Sequence, residues 1–185
     1  MKVDYRAVTK MQNDETSYRL EGIAFGLADG SIMSLGLIIG VAEATTDPRL
    51  VIISGIIGGF ANAFGNSIGF YMSQCAERGL QIHETTEHGI NTKVHSKKEI
   101  YLNSVFAFLC SVAISIALLS PFILLNMATA IISAFALGIL VAFFLGLYVG
   151  KLCQENRWIN GLKYAFLAFL GAIIAHLVAD LITVL

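Results

Sequence analysis

The sequence predicts an all-α integral membrane protein with five transmembrane helices. Of its 185 residues, 56% are hydrophobic and only 14% are charged, which is more apolar side chain than a soluble domain of this size can bury. Five separate apolar stretches are each long enough to cross a bilayer, which takes about 20 residues. The basic residues are concentrated in alternate connections between these stretches, a pattern typical of multi-pass proteins.

The expected spans are separated mostly by short connections. They cover approximately residues 22–43, 50–74, 101–119, 127–150 and 163–185. Because proline is disfavoured inside a helix, we expect Pro48 and Pro121 to lie in the turns after spans one and three. We divide the chain into an N-terminal segment that either lies on the membrane as an interfacial helix or stays in solution (1–21), spans one and two (22–75), a cytoplasmic insertion (76–100), and spans three to five (101–185).

Lysine and arginine predict the orientation in the membrane. Four of the 12 basic residues precede span one, four lie in the 76–100 insertion and three lie between spans four and five or at the start of span five. Only Arg49 lies on the other side. The N-terminus is therefore expected in the cytoplasm and the C-terminus outside, in the cell membrane if the source is a prokaryote.

Charge and cysteine content give no support for a nucleic-acid partner, a disulfide framework or a zinc site. The net charge of −1 gives no reason to expect a nucleic acid, so the lipid bilayer is the first partner. The cysteines Cys75, Cys110 and Cys153 are scattered along the chain, and they fit neither a disulfide framework nor zinc-ligand spacing. We expect them to be buried free thiols.

Glycine recurs at intervals of four residues in the first two spans. The sets are Gly22, Gly26 and Gly30; Gly36 and Gly40; Gly55 and Gly59; and Gly65 and Gly69. A spacing of four places each set on one helix face, where another backbone can approach closely. We expect spans one and two to pack tightly, either against each other or across a dimer axis.

Asp29 is the residue in the spans that most needs an explanation. It lies about 10 Å into span one, where an ionised carboxylate costs about 2.5–3.5 kcal/mol unless it faces protein, water or an ion. Met33 shares its helix face, and Asn62 and Asn66 share a face of span two. With the hydroxyls of Ser31, Ser34 and Ser67, these groups form either a polar path or, if Asp29 is protonated, a hydrogen-bonded joint between the helices.

Span five carries a second polar pair, His176 and Asp180, four residues apart on one face. This spacing suits an ion pair or proton relay, or a histidine that only packs and hydrogen-bonds. Glu43 is expected at the outer mouth of span one near Asp47 and Arg49, where it is either solvated or attracts cations.

The stretch HETTEH in the polar segment resembles a metal site. Zinc proteases place their histidines four apart in HExxH, but His83 and His88 are five apart, about 140° round a helix, so a protease is excluded. His83 and Glu87 are four apart, as are Glu84 and His88, and Glu77 lies upstream. Carboxylate and imidazole suit iron, manganese or zinc. The alternative is a hydrated linker with intrahelical charge pairs.

The stretch FGLADGSIMSLGLIIGVAEA, followed by IISGIIGGFANAFGNSIGFYMSQCAERG, resembles the first two helices of the vacuolar iron transporter family. The shared features are an Asp-Gly in a glycine-rich first helix, a G-x-Y-x-S pattern near the end of the second (Gly69, Tyr71 and Ser73), and a charged AER segment directly after it. The resemblance is specific over about residues 22–79 and generic over spans three to five.

This resemblance implies a homodimeric exporter, not an enzyme, that moves Fe²⁺ or Mn²⁺ out of the cytosol in exchange for protons. It implies a pore at the dimer interface lined by the first helices, with Asp29 as transport ligand and proton carrier, and no permanently bound cofactor. The expected transport residues are Asp29, Met33, Asn62 and Asn66. The expected metal ligands are Asp29 and a cytoplasmic capture group of Glu77, His83, Glu84, Glu87 and His88.

Two departures from the family leave the transported ion open. The family's usual glutamate and methionine in the second helix align with Gly58 and Asn66, and either Met33 or Met72 would have to substitute. The insertion, a glutamate-rich metal-binding domain in well-known members, is here only about 25 residues long. An oxygen-rich site favours Mn²⁺, Mg²⁺ or Ca²⁺ over Fe²⁺.

Two other function classes remain. A membrane scaffold or partner subunit that kept the fold and lost the ligands would also lack the glutamate and methionine. An intramembrane enzyme using Asp29, His176 and Asp180 ranks last, because the chain has no nucleophile motif. Direct proton transfer between Asp29 and His176 would require them to be within hydrogen-bond reach.

Overall fold

A computed structural model describes residues 15–45, 47–88 and 94–184, with side chains described for 20–45, 47–87 and 94–181. These residues form α1 (Glu15–Ala44), α2 (Pro48–His88), α3 (Lys97–Leu124), α4 (Met127–Leu152) and α5 (Arg157–Val184). All five helices are long and apolar enough to cross a membrane. The predicted five-helix, multi-pass membrane fold is confirmed. The basic residues Lys2, Arg6, Lys10 and Lys93 lie outside the described residues.

The first helix, α1, lies at the centre and contacts each of the other four helices. Its buried side chains Leu35 and Ile38 belong to the main apolar core, which Leu118 and Phe122 of α3 and Ala134 of α4 complete. Among the described residues, none covers the face of α1 that lies between α2 and α5. That face carries Asp29, the acidic residue inside the first span. The packing of α1 therefore determines where the candidate site lies.

The glycines of α1 allow a close helix crossing, but the partner is α3. Gly22, Gly26 and Gly30 lie against the backbone of α3, and a methyl group added at Gly26 would overlap the backbone of Ala107. The expectation that these glycines join spans one and two, or two subunits, is therefore wrong for this set. A glycine face fits any backbone that approaches it, and the spacing alone does not name the partner.

The two glycine pairs that the spacing singles out in α2 have different surroundings. Gly55 and Gly59 also face α3, where added methyl groups would meet Leu119 and Ser115. Gly65 and Gly69 have no described atom within 4 Å of such a methyl group. The second pair therefore leaves a smooth, unoccupied strip on the outer surface of α2.

Pro121 lies inside α3, so its predicted place in a turn is wrong. The helix continues to Leu124 because the hydrogen bond that proline cannot donate is replaced. The hydroxyl of Ser120 donates to the carbonyl of Ala117 at 2.7 Å, the acceptor that the missing N–H would have used. The turn follows, and Asn126 then caps α4.

The second helix continues well beyond the membrane. Its 41 residues span about 60 Å at 1.5 Å per residue, twice the thickness of the hydrocarbon core. The first half of the predicted insertion is therefore a continuation of α2. The other described end is the start of α3, where Ser96 and Glu99 form a reciprocal capping box with bonds of 3.1 and 2.9 Å.

The three cysteines are free, as their spacing predicts. The expectation that they are buried is wrong for Cys75 and Cys153, which are exposed, while Cys110 is partly buried. Exposure is compatible with a weakly polar thiol in a membrane protein because the outer helix surface faces lipid as well as water.

Candidate functional site

A polar cluster joins α1 to α2 within the membrane. The amide nitrogen of Asn62 donates to Oδ2 of Asp29 at 3.0 Å, and the amide nitrogen of Asn66 donates to the same oxygen. Asn66 also donates to Oδ1 of Asn62 at 3.0 Å. The three residues that the sequence singled out on separate spans therefore meet around one carboxylate oxygen.

The carboxylate lies on the uncovered face of α1. Asp29 is partly buried, and the residues one turn before and after it, Phe25 and Met33, are 37% and 52% exposed. Among the residues that the structure describes, none donates a hydrogen bond to Oδ1 of Asp29. One oxygen is thus held by two amides and the other remains available to a ligand.

The hydroxyls expected beside Asp29 bond elsewhere, so that part of the prediction is wrong. Ser31 donates to the carbonyls of Leu27 and Ala28 in its own helix. Ser34 pairs with Ser115 of α3 at 2.5 Å. Ser67 likewise turns to α3 and donates to the carbonyl of Ser104 at 2.7 Å. These hydroxyls satisfy backbone or join helices, and the site near Asp29 consists of carboxylate and amide groups.

A groove continues from Met33 along the uncovered face of α1. It has a volume of about 690 Å³ and lies between α1, α2 and α5. Gly36 and Gly40 form part of its floor, and Gly171 and Ala175 of α5 form part of the opposite wall. Met33, predicted as a residue of the transport pathway, lies in this groove on the same helix face as Asp29.

Gly58, where the resemblance places the family's glutamate, faces the end of the Leu37 side chain. A methyl group added there would overlap Cδ2 of Leu37 on α1. The glycine and the leucine therefore fit each other, and a glutamate at this position would require Leu37 to move. Met72, named as a possible substitute ligand, is 64% exposed and lies about 9 Å along α2 from Asn66.

The predicted cytoplasmic capture residues divide into two groups. Nε2 of His83 lies 3.3 Å from Oε2 of Glu87 on the exposed end of α2, and Glu84 is exposed beside them. The side chain of His88 lies outside the described part of the chain. Among the described side chains, no group of three or more His, Cys, Asp or Glu residues is arranged to hold a metal ion. The capture site stays a prediction.

Glu77 belongs to a different cluster at the start of α3. It lies 3.8 Å from Nε2 of His95, whose Nδ1 is 4.0 Å from Glu99. Glu21 of α1 accepts a hydrogen bond from Gln74 at 3.3 Å on the same side of the molecule. Sequence reasoning missed the Glu21–Gln74 contact, since it depends on how α1 and α2 cross.

His176 lies between two carboxylates at the opposite end. Its Nδ1 is 3.5 Å from Oε1 of Glu43, and its Nε2 is 3.7 Å from Oδ2 of Asp180. The predicted pairing with Asp180 is present, and Glu43 joins it from α1. Because Glu43 is 14 residues after Asp29, the two are about 20 Å apart along α1. His176 is therefore too far from Asp29 for direct proton transfer.

The comparison with known proteins settles the family resemblance. Residues 20–100 match the model of the VIT family. The resemblance to the vacuolar iron transporters is confirmed, and it covers α1, α2 and the start of α3, including all three residues of the Asp29 cluster. At family level the VIT match indicates a membrane metal-ion transporter. The chain is also 29% identical, over 94% of each sequence, to an uncharacterized protein, MJ0645, of Methanocaldococcus jannaschii.

Proposed function

We propose that the protein exports Fe²⁺ or Mn²⁺ from the cytosol by exchange with protons, through a pore at the interface of a homodimer. The observation that carries this proposal is the carboxylate of Asp29, held by two amides at membrane depth on the uncovered face of α1. A carboxylate binds either a cation or a proton, which is the exchange that an antiporter needs. The VIT match over the same residues supports metal transport.

The two amides suggest how the site would respond to a cation. The N–H groups of Asn62 and Asn66 both point to Oδ2 of Asp29. A cation would repel those hydrogens, and rotation of each amide about its last torsion would present the carbonyl oxygen instead. The resulting ligands are all oxygen atoms. Such a set suits Mn²⁺ better than Fe²⁺, whose sites prefer softer ligands. We therefore place Mn²⁺ ahead of Fe²⁺.

The cost of leaving this face in lipid supports the proposed dimer. An ionised Asp29 exposed to hydrocarbon costs about 2.5–3.5 kcal/mol, and the described helices leave its face open. A second copy packed over the groove would cover both Asp29 side chains and place two α1 helices along one path. Gly36 and Gly40 line the groove beside Ala175 of α5, and their lack of side chains leaves room above it.

Uptake into proteoliposomes tests the proposal. Vesicles with an acidic lumen are offered Mn²⁺ and then Fe²⁺, beside protein-free vesicles. We expect Mn²⁺ to enter faster than Fe²⁺, and we expect dissipation of the pH gradient with an ionophore to abolish uptake above the protein-free rate. A purified dimer that moves neither ion would contradict export, and uptake that ignores the ionophore would contradict proton exchange.

A second candidate is a non-transporting scaffold or partner subunit. The observation that favours it is that Gly58, where the resemblance places a family ligand, offers no ligand and faces the apolar side chain of Leu37. Binding of Mn²⁺ to the purified protein, followed by electron paramagnetic resonance, separates the two functions. If the protein is a transporter, the wild type binds Mn²⁺ and the Asp29→Asn variant loses that binding. If it is a scaffold, Asp29→Asn removes no bound Mn²⁺.

Substituting Asn66 by methionine is expected to shift ion preference. A thioether is a softer ligand than an amide, so the ratio of Fe²⁺ to Mn²⁺ uptake should rise about ten-fold, equivalent to about 1.4 kcal/mol. The matched control is Ile68→Met, which adds a thioether on an exposed part of the same helix. An unchanged ratio in Asn66→Met would remove Asn66 from the ligand set.

Neutralising the exposed capture residues is expected to affect metal entry more than turnover. The triple variant His83→Gln, Glu84→Gln and Glu87→Gln should raise the KM for Mn²⁺ several-fold and leave kcat unchanged, because these groups lie beyond the membrane and would only concentrate the ion. Glu155→Gln, in the connection between α4 and α5, is the control. Unchanged KM in the triple variant would identify this segment as a linker.

A further inference from the structure

The connection between α4 and α5 holds a crevice that the transport proposal does not use. The crevice has a volume of about 350 Å³. Its polar side is formed by Lys151 at the end of α4 and Arg157 at the start of α5, with Tyr148 and Trp158 beside them. Phe144 and its neighbour Leu147 extend the wall towards the membrane interior.

The turn below the crevice ends α4 with a regular pair of backbone hydrogen bonds. The N–H of Glu155 donates to the carbonyl of Gly150 at 2.9 Å, and that of Gln154 donates to Lys151 at 3.4 Å. This is the Schellman pattern that ends a helix, and Gln154 accordingly adopts φ 56° in the left-handed region. Oδ1 of Asn156 then accepts from the N–H of Trp158 at 3.1 Å and starts α5.

Small residues bring α4 and α5 close together at this end. A methyl group added at Gly146 would overlap the backbone of Asn160 and Gly161, and one at Gly150 would meet Cα of Arg157. The two cations are therefore attached to a closely packed helix pair joined by a short, bonded turn. Their backbones are fixed before any ligand arrives.

Neither cation is committed to a protein partner in the described part of the chain. The side chains of Lys151 and Arg157 form no ion pair and no hydrogen bond with another described residue. The one nearby acid in the turn, Glu155, accepts a hydrogen bond from the amide of Asn160 at 2.8 Å. Lys151 and Arg157 thus border the crevice, while the carboxylate of Glu155 bonds to Asn160 and not to either cation.

The location distinguishes a lipid from a soluble anion. The crevice lies at the basic end of the molecule, where Lys and Arg predict the cytoplasmic face and where anionic headgroups occur. Tyrosine and tryptophan are typical of this depth. A phospholipid would place its phosphate against the two cations and its acyl chain along Phe144 and Leu147, whereas a free phosphate would leave that apolar wall unused.

We propose that this crevice binds the phosphate group of an anionic phospholipid from the cytoplasmic leaflet. Arg157 offers a planar set of donors that matches phosphate oxygens, and Lys151 adds a point charge from the facing helix. The site is separate from Asp29 and does not depend on which ion is transported.

Lipid titration of the detergent-purified full-length protein tests this site, with bound lipids counted by native mass spectrometry. The probes are phosphatidylglycerol, phosphatidylcholine and inorganic phosphate. We expect phosphatidylglycerol to bind about 30-fold more tightly than phosphatidylcholine, because each of the two cations near the membrane surface contributes about 1 kcal/mol. The double variant Lys151→Gln and Arg157→Gln should lose this preference, and Arg157→Lys should keep most of it.

Lys163→Gln, compared with the single variant Arg157→Gln, is the matched control. It removes an equal charge from α5 at a residue that does not line the crevice, and it should leave the preference unchanged. An equal loss in Lys163→Gln would overturn the proposal in favour of general attraction to a basic surface. Equal binding of phosphatidylcholine, or displacement of phosphatidylglycerol by inorganic phosphate at matched concentration, would overturn it as well.

Discussion

Asp29→Asn is expected to reduce metal uptake to the level of protein-free vesicles and to leave a folded dimer. Asparagine has the size of aspartate and still offers an oxygen to the amides of Asn62 and Asn66, so the contact between α1 and α2 persists. It carries no charge and takes up no proton near neutral pH, so both halves of the proposed exchange are lost. Uptake of Mn²⁺ and size-exclusion chromatography of the same sample measure the two properties.

The matched control for this substitution is Asp47→Asn. Asp47 lies in the connection before α2, where its Oδ1 accepts from the N–H of Arg49 at 2.9 Å, a bond that asparagine also makes. We expect uptake by this variant to equal that of the wild type. Full uptake by Asp29→Asn would leave Asp29 as a hydrogen-bonded joint between helices, which is the other interpretation of a carboxylate in this position.

The sequence alone was sufficient for the five spans and for selecting the three polar residues that meet between α1 and α2. A run of apolar residues long enough for the bilayer has few alternatives to a helix, since every backbone group must be satisfied in lipid. Asp29, Asn62 and Asn66 could be selected for a related reason. Polar groups at membrane depth need partners, and a spacing of four residues puts the two asparagines on one face.

Contacts between helices could not be read from spacing within them. The glycines of α1 permit a close partner, but only the arrangement of helices around α1 shows that the partner is α3. Ser34 is five residues after Asp29, about 140° round the helix, and its actual partner, Ser115 of α3, depends on how α1 and α3 cross. The pairing of Glu43 with His176 likewise depends on α1 and α5 ending at the same side of the membrane.

Pro121 shows how a local rule fails when a neighbour compensates. Proline ends helices mainly because it removes a donor and crowds the preceding turn. Here the preceding residue, Ser120, supplies a hydroxyl to the unpaired carbonyl of Ala117, and lipid or protein on all sides favours continuing the helix. The proline rule placed the turn after span three close to where it lies, but the helix ends at Leu124, several residues later than the rule predicted.

The close crossing of α1 and α3 predicts a large loss of stability for Gly26→Leu. The added side chain would begin inside the backbone of Ala107, and no rotamer relieves an overlap that starts at Cβ. Overpacking of this kind costs about 3 kcal/mol when the helices must separate. Thermal unfolding in detergent, followed by circular dichroism, should show a lower midpoint than that of the wild type.

Gly79→Leu is the control, because a methyl group at Gly79 on α2 meets nothing described within 4 Å. Both substitutions exchange a poor helix former for a good one, so the difference between them isolates the crossing. We expect Gly79→Leu to unfold at or slightly above the wild-type midpoint. Equal midpoints for the two variants would contradict the close contact with α3.

Since the same helix carries Asp29, moving α1 away from α3 should also displace that carboxylate from Asn62, so Gly26→Leu should lose uptake at temperatures where it remains folded.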